Sequence, residues 1–213
     1  MPKLDRLVEF DERSRAYPIR TLLPDEPRSY TWRCDVWHDQ GREGACVGFA
    51  WAHELSARPA VVPTSRDDAF TIYRLAQTLD QWPGENYSGT SVIAGIKALQ
   101  QLFPDRIAEY RWAFGLEDAL LTIGRKGPGV AGLNWYEGMD QVDDRGFIHV
   151  TGAIRGGHAI LANGVNVKGR YVKIWNSWGP EWGRNGCALL SWDDFGRLLA
   201  EDGEFCLPVL RGR

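Results

Sequence analysis

Near Lys126-Gly127-Pro128-Gly129 the chain changes its hydrophobic period, and this switch limits the folds open to it more than any other feature. Before it, apolar residues recur at helical spacing. ACVGFAWAHELSAR (45–58) puts Val47, Trp51 and Leu55 four residues apart, which predicts an amphipathic helix opening at Cys46 after the turn DQGREG. A second helix is expected in DDAFTIYRLAQTLD (67–80), broken by QWPGENYSG. A third is expected in TSVIAGIKALQQLF (90–103), opened by Thr90 or Ser91 as N-cap and stopped by Pro104. After the switch come short β-prone runs at 129–135, 158–167, 171–176 and 187–192, with a hairpin signal at Lys168-Gly169. Helices followed by strands predict an α+β fold. The expected division is an N-terminal extension (1–30), a helical lobe (31–125) and an antiparallel sheet or barrel (126–213).

Composition narrows the function. The 213 residues are 44% hydrophobic and include 10 Trp, enough for a packed core, so a disordered or disulfide-dense chain is excluded. A net charge of -3 gives no electrostatic reason to expect nucleic acid or an anionic membrane as partner. The first thirty residues hold no uninterrupted apolar run that could act as a signal peptide, and no stretch is long and apolar enough to span a bilayer. A cytoplasmic protein is expected. Four cysteines stand at 34, 46, 187 and 206; if Cys46 is a free nucleophile, an odd number remains, which favours a reducing compartment. Cys187 and Cys206 are the pair to consider in an oxidising one. The histidines at 38, 53, 149 and 158 are scattered and no CxxC occurs, so neither metal nor cofactor is expected.

Three stretches carry chemistry: DQGREGAC (39–46), GGHAI (156–160) and NSWG (176–179). A thiol at a helix N-terminus meets unpaired backbone N–H groups and the positive end of the helix dipole, which favour thiolate. His158, at a β-run in the other half, can complete an ion pair with Cys46 across a cleft. Asn176 offers a carboxamide oxygen to orient the ring, and Gln40 a donor that can share an oxyanion with the Cys46 N–H. Taken singly, Cys46 and His158 read as core residues, and Asn176 and Gln40 as turn or surface residues. Their combination reverses that reading. His38, His53 and His149 keep structural roles, and the tryptophans at 32, 37, 51, 112 and 135 are expected in the core.

At these residues the sequence resembles the papain-like cysteine peptidases. Gln40, Gly41, Gly44, Ala45 and Cys46 match the family's first motif, and NSWGPEWGRNG (176–186) matches its asparagine motif more closely still. The resemblance implies a two-lobed fold, a helical left lobe and a β-barrel-like right lobe with the cleft between them. It implies Cys46 as nucleophile, His158 as general base and acid, Asn176 as orienter and Gln40 as oxyanion donor. It further implies Gly89 as a source of main-chain hydrogen bonds to an extended peptide or protein substrate, and Trp178 as a shield over the His158–Asn176 contact. Gly157, with Gly156 and Gly132, suggests an open substrate pocket rather than a charged one. Two departures are evident: Glu43 stands where the family has a disulfide cysteine, and Val47 replaces an aromatic residue. Glu43 is either a solvated loop residue or a bias toward basic substrate groups. The 45 residues ahead of Cys46 are fewer than a long inhibitory pro-segment, so the expectation is an enzyme made active or controlled by other means. The function expected is hydrolysis of peptide or isopeptide bonds through a Cys46 thioester. An acyl transferase using the same thioester and a non-catalytic peptide-binding scaffold are the alternatives.

Overall fold

The computed structural model describes residues 2–22, 26–82 and 87–212. The helical half contains α1 (Cys46–Ser56), α2 (Arg66–Gln77) and α3 (Val92–Leu102). Short polar residues start two of them. Ser65 and Asp68 form a reciprocal capping box on α2, and Ser91 Oγ accepts from the Ala94 N–H on α3. The break read at 81–89 lies partly outside the described residues, which omit 83–86. α1 is not amphipathic as its spacing suggested: every residue from Cys46 to Leu55 is buried. A helix apolar all round belongs inside a fold, and α1 packs against α2 on one side and the sheet on the other. Its N-cap, Ala45, has no side chain to satisfy the first N–H groups, so they remain open at Cys46.

The sheet is antiparallel and has seven strands. Six follow the order β4 (Ile107–Ala113), β9 (Glu204–Leu210), β5 (Gly129–Tyr136), β6 (Ile154–Asn166), β7 (Tyr171–Trp175) and β8 (Cys187–Ser191), and β2 (Tyr30–Thr31) pairs with β6. Among the described residues β4 and β8 end the path without meeting, so the expected barrel is an open sheet. The hairpin at Lys168-Gly169 joins β6 to β7, Asn166 facing Tyr171. α4 (Leu116–Arg125) and α5 (Trp192–Ala200) close a second core over one face of the sheet.

Besides three two-residue strands, two longer ones escaped the sequence reading for separate reasons. β4 alternates charged and apolar residues too irregularly to stand out. β9 contains Pro208, which argues against a strand. It is tolerated because β9 pairs with β5 only over Glu204–Cys206, so Pro208 lies beyond that ladder, opposite Tyr110 of β4. The same strand order separates Cys187 on β8 from Cys206 on β9 by four strand spacings, about 19 Å at the usual 4.8 Å each. They cannot bridge, and all four cysteines are free. No helix among the described residues is long and apolar enough to cross a membrane. A further two-residue strand, β1 (Arg6–Leu7), pairs in parallel with β3 (Thr90–Ser91), which brings the N-terminal segment onto the junction of helices and sheet.

Candidate active site

Gln40 and Ser177 lie on facing loops, one leading to α1 and one leaving β7. Gln40 N–H donates to the Ser177 carbonyl at 2.9 Å, and the Ser177 hydroxyl donates to Gln40 Oε1 at 2.6 Å. That second contact sets the amide: with Oε1 engaged by Ser177, Nε2 faces the other way. The sequence contained Ser177 inside a quoted motif, but no local signal assigned it this task.

His158 sits in β6 opposite Leu133, and its Nε2 is 2.8 Å from Asn176 Oδ1. The Ser177 N–H donates to that same oxygen at 2.8 Å. Because a backbone N–H can only donate, Oδ1 faces the ring as an acceptor and the ring proton resides on Nε2. Nδ1 therefore carries a lone pair, and it has no hydrogen-bond partner among the described residues. His158 is 0% exposed and Asn176 1%. Two indoles enclose the ring: Trp178 lies 5.1 Å away, tilted at 32°, and Trp135 meets it edge-on at 4.8 Å. Trp135 read as a core residue and is fully buried, yet it is also a wall of this site. Trp37, expected in the core, is 45% exposed, and its indole N–H donates to the Asn185 carbonyl at the surface.

Cys46 occupies the first turn of α1, and its sulfur accepts a backbone hydrogen bond from Ala159, the residue after His158. This contact joins helix to sheet one residue along from His158, and no hydrogen bond links the Cys46 sulfur to the imidazole. Both are dry. Burial pushes the Cys46 thiol up to about 11, against backbone hydrogen bonds from Ala159, Asp5 and Val47 that favour the thiolate. Burial likewise pushes His158 down to about 4, opposed by its bond to Asn176. Both groups are thus uncharged at neutral pH in this conformation, in contrast to the ion pair expected from the helix terminus alone.

The N-terminal segment adds to that burial. Lys3 to Leu7 runs through the junction between helices and sheet, directly over these groups. The Lys3 carbonyl accepts from Gln40 Nε2 at 3.1 Å, the Asp5 backbone hydrogen-bonds to the Cys46 sulfur, and Asp5 bridges to Gly157 as a parallel partner. Glycines admit it, Gly157 and Gly89 most tightly against its backbone: a Cβ at 157 would stand 2.2 Å from the Arg6 carbonyl oxygen, and one at 89 would stand 1.7 Å from that of Asp5. So a segment of the chain itself packs across these residues.

Gly89 takes a different part from the one the resemblance implied. Its N–H donates to the Tyr73 hydroxyl and its carbonyl accepts from Gln77 Nε2, so its main-chain groups are engaged within the chain. Glu43 has an exposed side chain, while its carbonyl accepts from Gln40 Nε2. The acidic side chains found here instead are Asp5 of the segment, beside Cys46, and Glu204 at the start of β9, out of reach of any sequence motif. Gly132 and Gly157 do make room in a pocket, but the pocket ends on the Glu204 carboxylate. His53 stacks on His38 away from this site, and His149 contacts Asp143. Among the described residues no group of three or more His, Cys, Asp or Glu is placed to hold a metal ion. A cavity of about 370 Å³ lies behind the segment, lined by Phe10, Trp112 and Phe114, rather than at Cys46.

No family model and no curated protein matches the chain. Solved structures do. Xylellain, a cysteine protease from Xylella fastidiosa, superposes with a TM-score of 0.62 at 18% identity, covering 98% of this chain and 94% of that one. The digestive procathepsin L2 proteinase of Tenebrio molitor gives 0.64 at 19% identity over 96% and 77% of the two chains. The bromelain protease of Ananas comosus, in complex with the E64 inhibitor, gives 0.62 at 17% identity over 87% and 100%. At this identity the likeness concerns architecture, and it makes the fold of this chain that of the papain-like cysteine proteases.

Proposed function

We propose that the chain is a cysteine-type peptidase that cleaves peptide or isopeptide bonds through an acyl-enzyme on Cys46. The observation that carries this reading is the His158–Asn176 contact: Asn176 Oδ1, which also accepts from the Ser177 N–H, lies 2.8 Å from His158 Nε2, and this leaves Nδ1 without a partner and able to take up a proton. In the reaction Nδ1 takes the thiol proton as sulfur attacks the substrate carbonyl. The resulting oxyanion is held by Gln40 Nε2 and the Cys46 N–H. Collapse breaks the C–N bond, the amine leaves with the proton from His158, and a thioester remains. Water then adds with His158 as base, and the acid and free thiol are released. Trp178 and Trp135 keep water off the His158–Asn176 bond.

That Gln40 already donates to a peptide carbonyl, from Lys3, supports its role as the oxyanion donor. The segment must withdraw before a substrate enters, and withdrawal rehydrates Cys46 and His158, which lets the ion pair form. The test is intact-mass analysis of the Arg6→Ala chain, in which the segment loses its anchoring 2.7 Å ion pair with Glu204, after incubation with a peptidyl chloromethylketone, alongside turnover of a peptide library. A single adduct on Cys46 and Cys46-dependent cleavage are expected. Labelling without any cleavage would leave a peptide-binding scaffold instead.

A further inference from the structure

The ladder between β5 and β6 slips beside the imidazole. Trp135 stands opposite Gly156 and Tyr136 opposite Ile154, so Arg155 is an extra residue on β6 with no partner across the ladder. A bulge of this kind re-aims a side chain, and here Arg155 Nη1 donates to Asp140 Oδ1, on the turn after β5. The same carboxylate oxygen accepts from the Trp135 indole N–H at 3.0 Å, and the Asp140 carbonyl accepts from the Trp182 indole N–H at 2.9 Å. One residue thus anchors two indoles. Trp135 meets the His158 ring edge-on, while Trp182 meets Trp178 edge-on at 5.5 Å and Trp178 in turn lies against His158.

Neither Asp140 nor Arg155 hydrogen-bonds the imidazole, so both act on it through the indoles and through their charge. Their side chains are 20% and 19% exposed, and water screens such charges less than it does at an open surface. Burial is the largest influence on His158 and disfavours its charged form, and the bond to Asn176 favours it; after these, Arg155 disfavours the charged form and Asp140 favours it. The other titratable groups here are Cys46 on α1 and Asp5 on the N-terminal segment, which bridges to Gly157. Asp39 bridges to Trp178, but its carboxylate is engaged by the Gly41 N–H. The loop leaving β7 brings only the neutral Asn176, Ser177 and Trp178.

We propose that Asp140 and Arg155 are a positioning pair for His158: Asp140 holds Trp135 and Trp182 around the ring and favours its protonated form, and Arg155 holds Asp140 in place and limits that bias. The proposal rests on the peptidase reading for its catalytic meaning, but the ring can be titrated without turnover. Proton NMR of the four histidine rings in the Arg6→Ala, Cys46→Ser chain, with His158→Ala to identify the resonance, leaves Asp140 and Arg155 as the charges beside His158. Asp140→Asn removes a charge and keeps an oxygen for the Trp135 N–H, and should lower the His158 midpoint by about 0.5–1 pH unit. Arg155→Gln should raise it by a similar amount, and Arg155→Lys should leave it near the parent value. In Arg6→Ala with Cys46 intact, the alkaline limb of kcat/KM, where the imidazolium loses its proton, should move in the same sense in each variant. A merely structural pair would loosen the ring in the same way whichever partner is lost. A shift of the wrong sign, or none, in either folded variant therefore overturns the proposal, so one variant that fails to fold leaves the other to decide; continued cleavage by Arg6→Ala then keeps the peptidase reading. Opposite shifts with no cleavage of any peptide support the pair and overturn the peptidase reading instead.

Discussion

Gln40 Nε2 donates to the Lys3 carbonyl oxygen at 3.1 Å, so the donor that would hold a reacting carbonyl already holds one from the chain's own N-terminus. With the Asp5 backbone on the Cys46 sulfur, this makes the reactivity of the thiol a report on whether the segment is seated.

Cys46 is 0% exposed, and burial pushes its thiol up to about 11. In the intact chain it should therefore alkylate slowly at pH 5–6, no faster than the buried Cys34, Cys187 and Cys206. Removing the Arg6 anchor should change Cys46 alone. Site-resolved mass spectrometry after iodoacetamide treatment should find it at least 10-fold faster in Arg6→Ala, as a thiol at an open helix N-terminus regains thiolate character. Equal rates in the two proteins would show that the segment does not govern access.

Substitutions around His158 should separate proton transfer from orientation. Cys46→Ala and His158→Ala should both abolish turnover in the Arg6→Ala background. Asn176→Ala removes one hydrogen bond to the ring, 2.8 Å long, and leaves Trp178 and Trp135 in contact with it. Its kcat should fall by less than the roughly 10²–10⁴-fold that general acid–base catalysis contributes. If Asn176→Ala is as inactive as His158→Ala while folded, the tautomer is everything and the indoles contribute nothing.

In the Arg6→Ala background, where the segment is already released, Gln40→Ala should cost roughly 10²–10³-fold in kcat, the usual loss for one oxyanion donor, with little change in Cys46 alkylation. Ser177→Ala provides the finer comparison. It removes the hydroxyl that holds Gln40 Oε1 at 2.6 Å but not the Gln40 N–H bond to the Ser177 carbonyl. A smaller loss of kcat, with KM unchanged, is expected from an amide left free to flip. Steady-state kinetics on one peptide substrate decides both.

A prediction on stability concerns Glu54, fully buried in α1, whose carboxyl burial pushes up to about 8. Above about pH 4.5 the unfolded chain releases this proton while the folded chain keeps it, so stability falls between pH 4.5 and 8, by about 1.4 kcal/mol per unit where the mismatch is complete. Glu54→Gln cannot ionise. Its stability relative to the parent should rise between pH 5 and pH 8, measured by urea unfolding; an identical difference at both pH values would mean that Glu54 is already ionised in the fold.

Much of the local structure was written in short stretches of sequence. Ser65 with Asp68, and Ser91 ahead of an apolar run, start helices by satisfying backbone N–H groups within four residues, and Lys168-Gly169 turns a hairpin for equally local reasons. The mixed helix and sheet class followed from the change of period, and the order Gln40, Cys46, His158, Asn176 could be picked out as chemistry before any geometry was known. The rest depended on which distant surfaces pack together. Arg6 and Glu204 are 198 positions apart, and neither reads locally as more than a charged residue. Only when β9 takes its place beside β5 does Glu204 come level with Gly132 and meet Arg6. The same holds for Trp135 against His158, for Ser177 against Gln40, and for an α1 buried on every side rather than one. Hydrophobic period and caps act over a turn or two of chain. Whether a thiol is dry, and what lies over it, is set by the tertiary packing that excludes water.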